Sequence, residues 1–187
     1  MRIYFDMDGV LAHFDAMRPN DTNLNHPSEE LSPEMRALKK QFWLDIERDK
    51  NFWANIPVMK NIEQLLNVAK SYGELFVLSK TPGAKHFNGG DVYVAFVANE
   101  KRKWILKHLN KFFDAKHTII CKGKKGELIH PTKTDILIDD RQENIDEWNA
   151  HGGTGILFTT PIDTAYSLQK HQSSLITNKT KQPEHIK

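Results

Sequence analysis

The fold of this chain is decided by the stretch IYFDMDGVL, residues 3–11. Its apolar and aromatic beginning predicts a short buried strand, and Gly9 allows the chain to turn away directly afterwards. Asp6 and Asp8 therefore stand at the carboxyl end of this strand, which is where ligands bind in open α/β sheets. The stretch thus predicts both the first strand of such a sheet and a site at its end.

The two carboxylates are separated by one residue and repel each other unless a cation or a shared proton compensates their charge. Their spacing therefore favours a metal site. The alternative is a turn in which one Asp caps the chain and the other is solvated, which is common for a lone Asp-Gly. A pair of acids behind an apolar strand is less typical of such a turn.

The composition limits the classes of protein to consider. A chain of 187 residues is long enough for one domain with a real core. Its 26 basic and 24 acidic residues leave a net charge of +2, which gives no field to hold duplex nucleic acid. The single cysteine, Cys121, excludes an intrachain disulfide framework and a cysteine-cluster zinc site.

The distribution of apolar residues bears on the cellular location. No apolar run approaches the roughly 20 residues that a membrane span needs. The amino terminus leads directly into the first strand, without a charged, apolar and small-residue signal pattern. We therefore expect a cytoplasmic protein that has no membrane partner.

Further apolar runs predict strands at residues 75–78, 118–121, 135–138 and 156–158, with helical patterns between them. This alternation is typical of an α/β fold with a Rossmann-like parallel sheet of about five strands flanked by helices. Residues 1–11 and 58–170 would form the core domain. Residues 12–57 would form a small helical cap inserted after the first strand, and residues 171–187 a polar, mobile tail.

Polar residues also follow the second, third and fourth predicted strands. Ser79 can donate to a phosphate oxygen, or it can begin the turn before Pro82. The lysines of residues 122–125 belong either to a solvated loop or to an anion site. A second acidic pair, Asp139 and Asp140, is hard to explain by packing. Together these residue types predict phosphoryl transfer assisted by a hard cation such as Mg²⁺.

These motifs resemble the haloacid dehalogenase superfamily of phosphatases. The resemblance rests on DMDGVL at residues 6–11, Ser79, a downstream lysine and IDDR at residues 138–141. More narrowly, the chain is similar to the 5′(3′)-deoxyribonucleotidase group and its bacterial and phage relatives. This narrower likeness is carried by Met7, Ala12, Phe14, residues 51–53, Glu100, Lys101 and Trp104, and spans about residues 1–158.

The resemblance implies a role for each acid. Asp6 would be the nucleophile that forms an aspartyl-phosphate, and Asp8 the general acid that then acts as the base. Mg²⁺ would be held by Asp6, by the backbone carbonyl of Asp8 and by one closing acid. Asp140 is the first choice for that ligand, with Asp139 in support.

The resemblance also implies how a substrate binds. Ser79 would hold the phosphate together with a lysine, for which Lys125 is preferred, Lys124 is next and Lys101 is the alternative. Phe14, Phe52 and Trp53 would form an aromatic wall on the base side. The chain departs from its relatives in three ways: His13 replaces an acid, residues 79–82 replace a Thr-Ser-Pro motif, and the cap is shorter.

The expected partner is a small phosphomonoester, in the first place a nucleoside monophosphate. A sugar phosphate or another small ester is the alternative, because such phosphatases share every catalytic residue and differ only in the cap. A non-catalytic binding protein on this scaffold is a third hypothesis, and the intact pair Asp6 and Asp8 argues against it. The base and sugar preference stay open, as does the oligomeric state, for which a homodimer is one option.

Overall fold

The computed structural model describes residues 1–17 and 31–180. Its centre is one sheet of five parallel strands, which confirms the predicted α/β class. The strands are β1 (Arg2–Phe5), β2 (Glu74–Lys80), β3 (Thr118–Cys121), β4 (Ile136–Asp139) and β5 (Thr154–Leu157). Their spatial order is β3-β2-β1-β4-β5, so that β1 lies in the middle of the sheet.

Helices connect the strands and cover the sheet. They are α1 (Pro33–Arg48), α2 (Phe52–Asn55), α3 (Ile62–Lys70), α4 (Gly90–His108), α5 (Lys125–Ile129), α6 (Gln142–Ala150) and α7 (Pro161–Thr180). Two short 3₁₀ turns occupy Phe14–Met17 and Ala84–His86. Within the described residues, no helix is long and apolar enough to cross a membrane.

The last helix differs from the prediction for the end of the chain. Residues 171–187 were expected to be a polar tail, but α7 continues to Thr180. No glycine or proline follows Pro161 before that residue, so nothing in the sequence stops the helix. Residues 181–187 lie outside the described part of the chain.

The register of the sheet brings the polar strand ends together. Phe5 is paired with Val77 of β2 on one side and with Ile138 of β4 on the other. The Asp6 amide then donates to the Ile138 carbonyl at 2.9 Å. Since the strands are parallel, Asp6, Ser79 and Asp139 lie at the same edge of the sheet.

The segment after β1 leaves the sheet and returns to it close to the place where it left. Ala12 forms an antiparallel bridge with Val58, and the His13 amide donates to the Pro57 carbonyl at 2.8 Å. Between these points lie α1 and α2, together with residues 18–30, which are outside the described part of the predicted cap. Phe42, Ile46, Phe52 and Trp53 are buried in the same apolar cluster as the central strand.

Candidate active site

A cavity of about 490 Å³ opens at the carboxyl edge of the sheet. Many of the residues predicted to form the site line it. Those are Asp6, Asp8, Phe14, Ser79, Lys125 and Asp140, and the wall also includes Gly9, Trp43, Lys80, His86 and Asn144.

The turn after β1 sets the positions of both acids. The amides of Val10, Leu11 and Ala12 all donate to the Met7 carbonyl, so the chain folds back tightly after Asp8. Gly9 has φ +84°, and a β-carbon there would clash with Oδ2 of Asp140. Only glycine therefore permits this close approach between the two acidic motifs.

Lys125 pairs with the predicted nucleophile. Its side chain is fully buried, and Nζ donates to Asp6 Oδ1 at 2.5 Å and to Asp139 Oδ2 at 2.6 Å. Burial alone would lower the pKa of Lys125, but the charges of Asp6 and Asp139 outweigh it and raise that pKa. The ammonium is therefore a permanent positive charge next to Asp6.

Lys101 pairs with the other acid and was expected only as an alternative. It is fully buried on α4, and its Nζ donates to Asp8 Oδ2 at 2.6 Å, to Ser79 Oγ at 3.1 Å and to the Lys80 carbonyl at 2.7 Å. The ammonium also lies 5.4 Å from the centre of the Trp53 ring, within cation–π range. Lys101 thus fixes Asp8 and Ser79 from behind the cavity wall.

Two acids of the cavity have raised pKa values. Burial is the main influence on Asp6, and it raises the pKa of that carboxyl to about 6 against the lowering effect of Lys125. Burial, followed by the charge of Asp6, raises the pKa of Asp140 to about 7. Oδ1 of Asp8 and Oδ1 of Asp140 are buried and have no hydrogen-bond partner among the described residues.

Three carboxylates at the edge of the sheet fit a magnesium ion. Asp6, Asp139 and Asp140 each offer an oxygen within 4.8 Å of the others, and carboxylate oxygens are the ligands that Mg²⁺ prefers. Asp139, however, already accepts hydrogen bonds from Lys125, from Asn144 Nδ2 and from the Arg141 amide. The unpartnered oxygen of Asp140 is therefore the better ligand of the two.

Lys124 does not reach the cavity. Its side chain is 62% exposed and forms an ion pair with Glu127 at 3.0 Å. The backbone is extended at Lys124, which caps α5, so this side chain and that of Lys125 leave the chain in different directions. The sequence offered no means of telling which neighbouring lysine faces inwards.

The predicted aromatic wall is also built differently. Phe52 and Trp53 on α2 are 6% and 0% exposed and do not line the cavity. Phe14 does line the cavity, together with Trp43 of α1 and His86. The rings of Trp43 and His86 stack with their centres 5.5 Å apart. Burial, and then the charge of Lys85, lowers the pKa of His86, so its imidazole is neutral.

Trp43, Lys80, His86 and Asn144 were not identified from the sequence. Trp43 lies next to the buried Phe42 in a helical pattern that gives no sign of a cavity, and His86 lies in a segment read as a loop. Lys80 follows Ser79 directly, and Asn144 lies five residues after Asp139. Their closeness to those motifs was the one available signal.

Comparison with known proteins gives a family. Residues 1–174 match the family model described as "5′ nucleotidase, deoxy (Pyrimidine), cytosolic type C protein". No curated protein sequence matches the chain significantly.

Several solved structures are similar in fold. A haloacid dehalogenase-like family hydrolase from Xanthomonas campestris has a TM-score of 0.59 at 9% identity, covering 93% of this chain and 92% of that one. A hydrolase from Streptococcus pneumoniae has a TM-score of 0.49 at 13% identity, with 90% and 97% covered. An enzyme of the same superfamily from Bacteroides thetaiotaomicron, solved with magnesium and inorganic phosphate, has a TM-score of 0.42 at 14% identity, with 85% and 94% covered.

The family model spans most of the chain, and the first of these structures shares its fold. The predicted resemblance to deoxyribonucleotidases is confirmed, the fold is similar to that of a haloacid dehalogenase-like hydrolase, and the chain is a phosphatase or nucleotidase. It belongs to the family of deoxy (pyrimidine) 5′-nucleotidases of cytosolic type C.

Proposed function

We propose that this protein is a Mg²⁺-dependent 5′-nucleotidase that hydrolyses nucleoside monophosphates through an aspartyl-phosphate on Asp6. The observation that carries the proposal is the pairing of two acids in one cavity, each with its own buried lysine. Lys125 holds Asp6 and Lys101 holds Asp8. A binding protein without catalysis would have no need to keep both pairs.

In the first step, an Asp6 oxygen attacks the phosphorus atom and the bond to the ester oxygen breaks. Lys125 keeps Asp6 oriented and offsets part of the repulsion between the carboxylate and the phosphate. Asp8 gives its proton to the leaving oxygen. Its Oδ2 is held by Lys101, and its Oδ1 has no partner among the described residues, which leaves that oxygen for the transferred proton.

In the second step, Asp8 takes a proton from a water molecule, which attacks the phosphorus of the aspartyl-phosphate. The acyl-phosphate bond breaks, inorganic phosphate leaves and Asp6 is restored. Ser79 contributes its hydroxyl to the phosphate oxygens, and Lys101 fixes the position of that hydroxyl. The serine lines the cavity and is only 1% exposed.

Asp6, the carbonyl of Asp8 and Asp140 would hold the magnesium ion, with Asp139 positioning Lys125 beside them. When bound, the ion would neutralise charge on the carboxylates and on the phosphate oxygens. The raised pKa values of Asp6 and Asp140 support this assignment, because a divalent cation would stabilise the charged form that burial disfavours in both carboxyls.

Two observations support a nucleotide over a sugar phosphate. Phe14 and Trp43 line the cavity that holds both catalytic acids, and aromatic rings stack well on a base. The description of the matching family names a 5′-nucleotidase of the deoxy (pyrimidine) type. The word "cytosolic" in that description likewise supports our assignment to the cytoplasm.

The test is a comparison of substrates for the purified protein with Mg²⁺, with chelator, and with Ca²⁺ in place of Mg²⁺. We expect hydrolysis of nucleoside monophosphates with a higher kcat/KM than of sugar phosphates, and none in chelator. Ca²⁺ should support it poorly, since Ca²⁺ takes more ligands at longer distances. Full activity in chelator would defeat the metal assignment, and a clear preference for sugar phosphates would defeat the nucleotide assignment.

A further inference from the structure

Lys80 lies at the cavity in addition to the two lysines that pair with the catalytic acids, and Lys39 of α1 lines the cavity as well. Lys80 is the last residue of β2, it follows Ser79 directly, and its half-buried side chain lines the cavity. Its Nζ donates to Asn144 Oδ1 at 2.7 Å. Across the part of the chain that the structure describes, no carboxylate lies within ion-pair distance of this ammonium.

The two lysines that pair with the catalytic acids differ from Lys80 in this respect. Lys125 pairs with Asp6 and Asp139, and Lys101 pairs with Asp8. Their positive charges are therefore already balanced by neighbouring acids. Lys80 instead donates to the neutral oxygen of an amide.

Asn144 holds Lys80 in this position. The amide is 8% exposed, and its Nδ2 donates to both oxygens of Asp139, at 2.9 and 3.0 Å. Since Nδ2 faces Asp139, Oδ1 must face Lys80. The contact uses one of the three donor hydrogens of the ammonium and leaves two for a ligand.

The charges at the edge of the sheet suggest what that ligand is. The four carboxylates Asp6, Asp8, Asp139 and Asp140 face two paired lysines, and a magnesium ion would bring this group to neutrality. A phosphate dianion would then add negative charge to a group whose positive charges are already balanced. Lys39 and Arg141 also line the cavity, and Arg141 is paired with Glu143. Burial, and next the charge of Lys125, lowers the pKa of Lys80 and outweighs the opposite effects of Glu147 and Asp139.

We propose that Lys80 binds the phosphoryl group of the substrate and is a third, unpaired lysine of the phosphate site. The proposal rests on the proposed function for the identity of the reaction. It differs from the expected roles of Lys101 and Lys125, because the positive charge of Lys80 would gain an anionic partner only once the phosphate is present. Its contribution should therefore appear in phosphate binding itself.

The test uses K80Q, in which an amide can still donate to Asn144 but the charge is lost, with K80M as a second neutral variant. K80R restores the charge, and K124Q is the matched control because Lys124 lies nearby but outside the cavity. The probe is inorganic phosphate, titrated by calorimetry into the Mg²⁺-loaded protein. We expect K80Q and K80M to weaken phosphate binding about 10- to 100-fold, the loss of one charged hydrogen bond.

K80R should stay within a few-fold of the wild type, and K124Q should not differ from it. Melting temperatures of all variants identify any loss of folded protein. Equal phosphate affinity in K80Q and the wild type would overturn the proposal, and so would a wild type that does not bind phosphate. A lower kcat with unchanged phosphate affinity would also overturn it, because Lys80 would then act only through Asn144.

The outcomes separate this proposal from the proposed function. A wild type that hydrolyses nucleotides beside a K80Q variant with full phosphate affinity would leave the nucleotidase assignment intact and remove Lys80. A wild type that binds phosphate through Lys80 but hydrolyses no monophosphate would support the role of Lys80 and contradict the nucleotidase assignment.

Discussion

The two ends of the sheet use the same residue type in opposite ways. At the amino end, Asp135 accepts hydrogen bonds from Arg2 at 2.9 and 2.5 Å, and from the amide and hydroxyl of Thr132. Burial alone would raise the pKa of Asp135, but these donors outweigh it and lower that pKa. At the carboxyl end, burial outweighs the donors and raises the pKa of Asp6 and of Asp140.

The difference lies in the supply of donors. Both oxygens of Asp135 accept hydrogen bonds within the folded chain, so this carboxylate contributes to stability. Asp8 and Asp140 each keep a buried oxygen without a partner among the described residues. Such oxygens are costly in the free protein. A cation would compensate the oxygen of Asp140, and the transferred proton that of Asp8. Acids are present at both ends of the sheet, and it is the unsatisfied charge that distinguishes the carboxyl end as the functional one.

The largest expected effect is the loss of turnover in Asp6→Asn. The amide keeps the shape of the side chain but removes the anionic nucleophile, while Lys125 retains Asp139 as a partner. We expect no measurable turnover, with a melting temperature close to that of the wild type. Steady-state kinetics and thermal unfolding check this, and near-normal turnover would remove Asp6 from its role.

Asp8→Asn should reduce kcat for nucleotides about 100- to 10,000-fold, the usual contribution of a general acid or base. The reduction should be smaller for an aryl phosphate, since that leaving group departs without a proton. The measurement is kcat for both substrates on the same variant. Equal losses would speak against protonation by Asp8.

The same contrast explains how far the sequence could predict the site. The four acids of the site were identified because they follow directly after predicted strands, and the carboxyl ends of parallel strands lie at one edge of the sheet. They are Asp6, Asp8, Asp139 and Asp140. The five-stranded sheet was predicted from the alternation of strand and helix patterns along the sequence. These signals are local in the sequence, so they do not depend on how the surrounding helices pack.

The remaining parts depend on tertiary packing. Nothing in a helical pattern distinguishes Trp43, which lines the cavity, from Trp53, which is buried behind Lys101. Lys101 looks like any lysine on a surface helix until α4 is packed against the sheet. The extent of α7 was missed because its polar sequence resembles a tail, although it contains no helix-breaking residue.

The third prediction compares two tryptophans near the carboxyl end. Trp53→Ala should destabilise the protein by about 3–5 kcal/mol, because a fully buried ring is lost. Trp43→Ala should instead raise KM for nucleotides and leave KM for a small phosphate ester unchanged, since a stacked base gains about 1–3 kcal/mol. Urea unfolding and both KM values test the pair, and a uniform rise of KM in Trp43→Ala would exclude stacking.

The fourth prediction tests the amino end. Asp135→Asn should lower the free energy of unfolding by about 1–3 kcal/mol, because it weakens the hydrogen bonds from Arg2 and Thr132. The kcat of the folded enzyme should not change, since the residue lies at the opposite edge from the cavity. A fall in kcat without a loss of stability would contradict the division between the two ends.

The smallest expected effect concerns His117, which precedes β3 at the amino end. Its Nδ1 lies 2.7 Å from Asp114 Oδ1 and its Nε2 lies 2.9 Å from Glu74 Oε1, so both ring nitrogens face carboxylates. Only the protonated ring can donate to both, and the hydrogen bonds to Glu74 and then Asp114 raise the pKa of His117. The stabilisation should be complete below the unfolded value of about 6.5 and decline as the pH rises through the raised pKa.

His117→Gln isolates this effect from the other eight of the nine histidines, because the variant differs from the wild type in one titrating group. The difference in melting temperature between the wild type and His117→Gln should be largest near pH 6 and shrink towards pH 9. The change should be small, since Glu74 and Asp114 are 60% and 61% exposed and water screens their charges. Added salt should reduce it further. A difference that is the same at every pH would show that the ring contributes packing alone, and that the amino end is stabilised by Asp135 without help from this histidine.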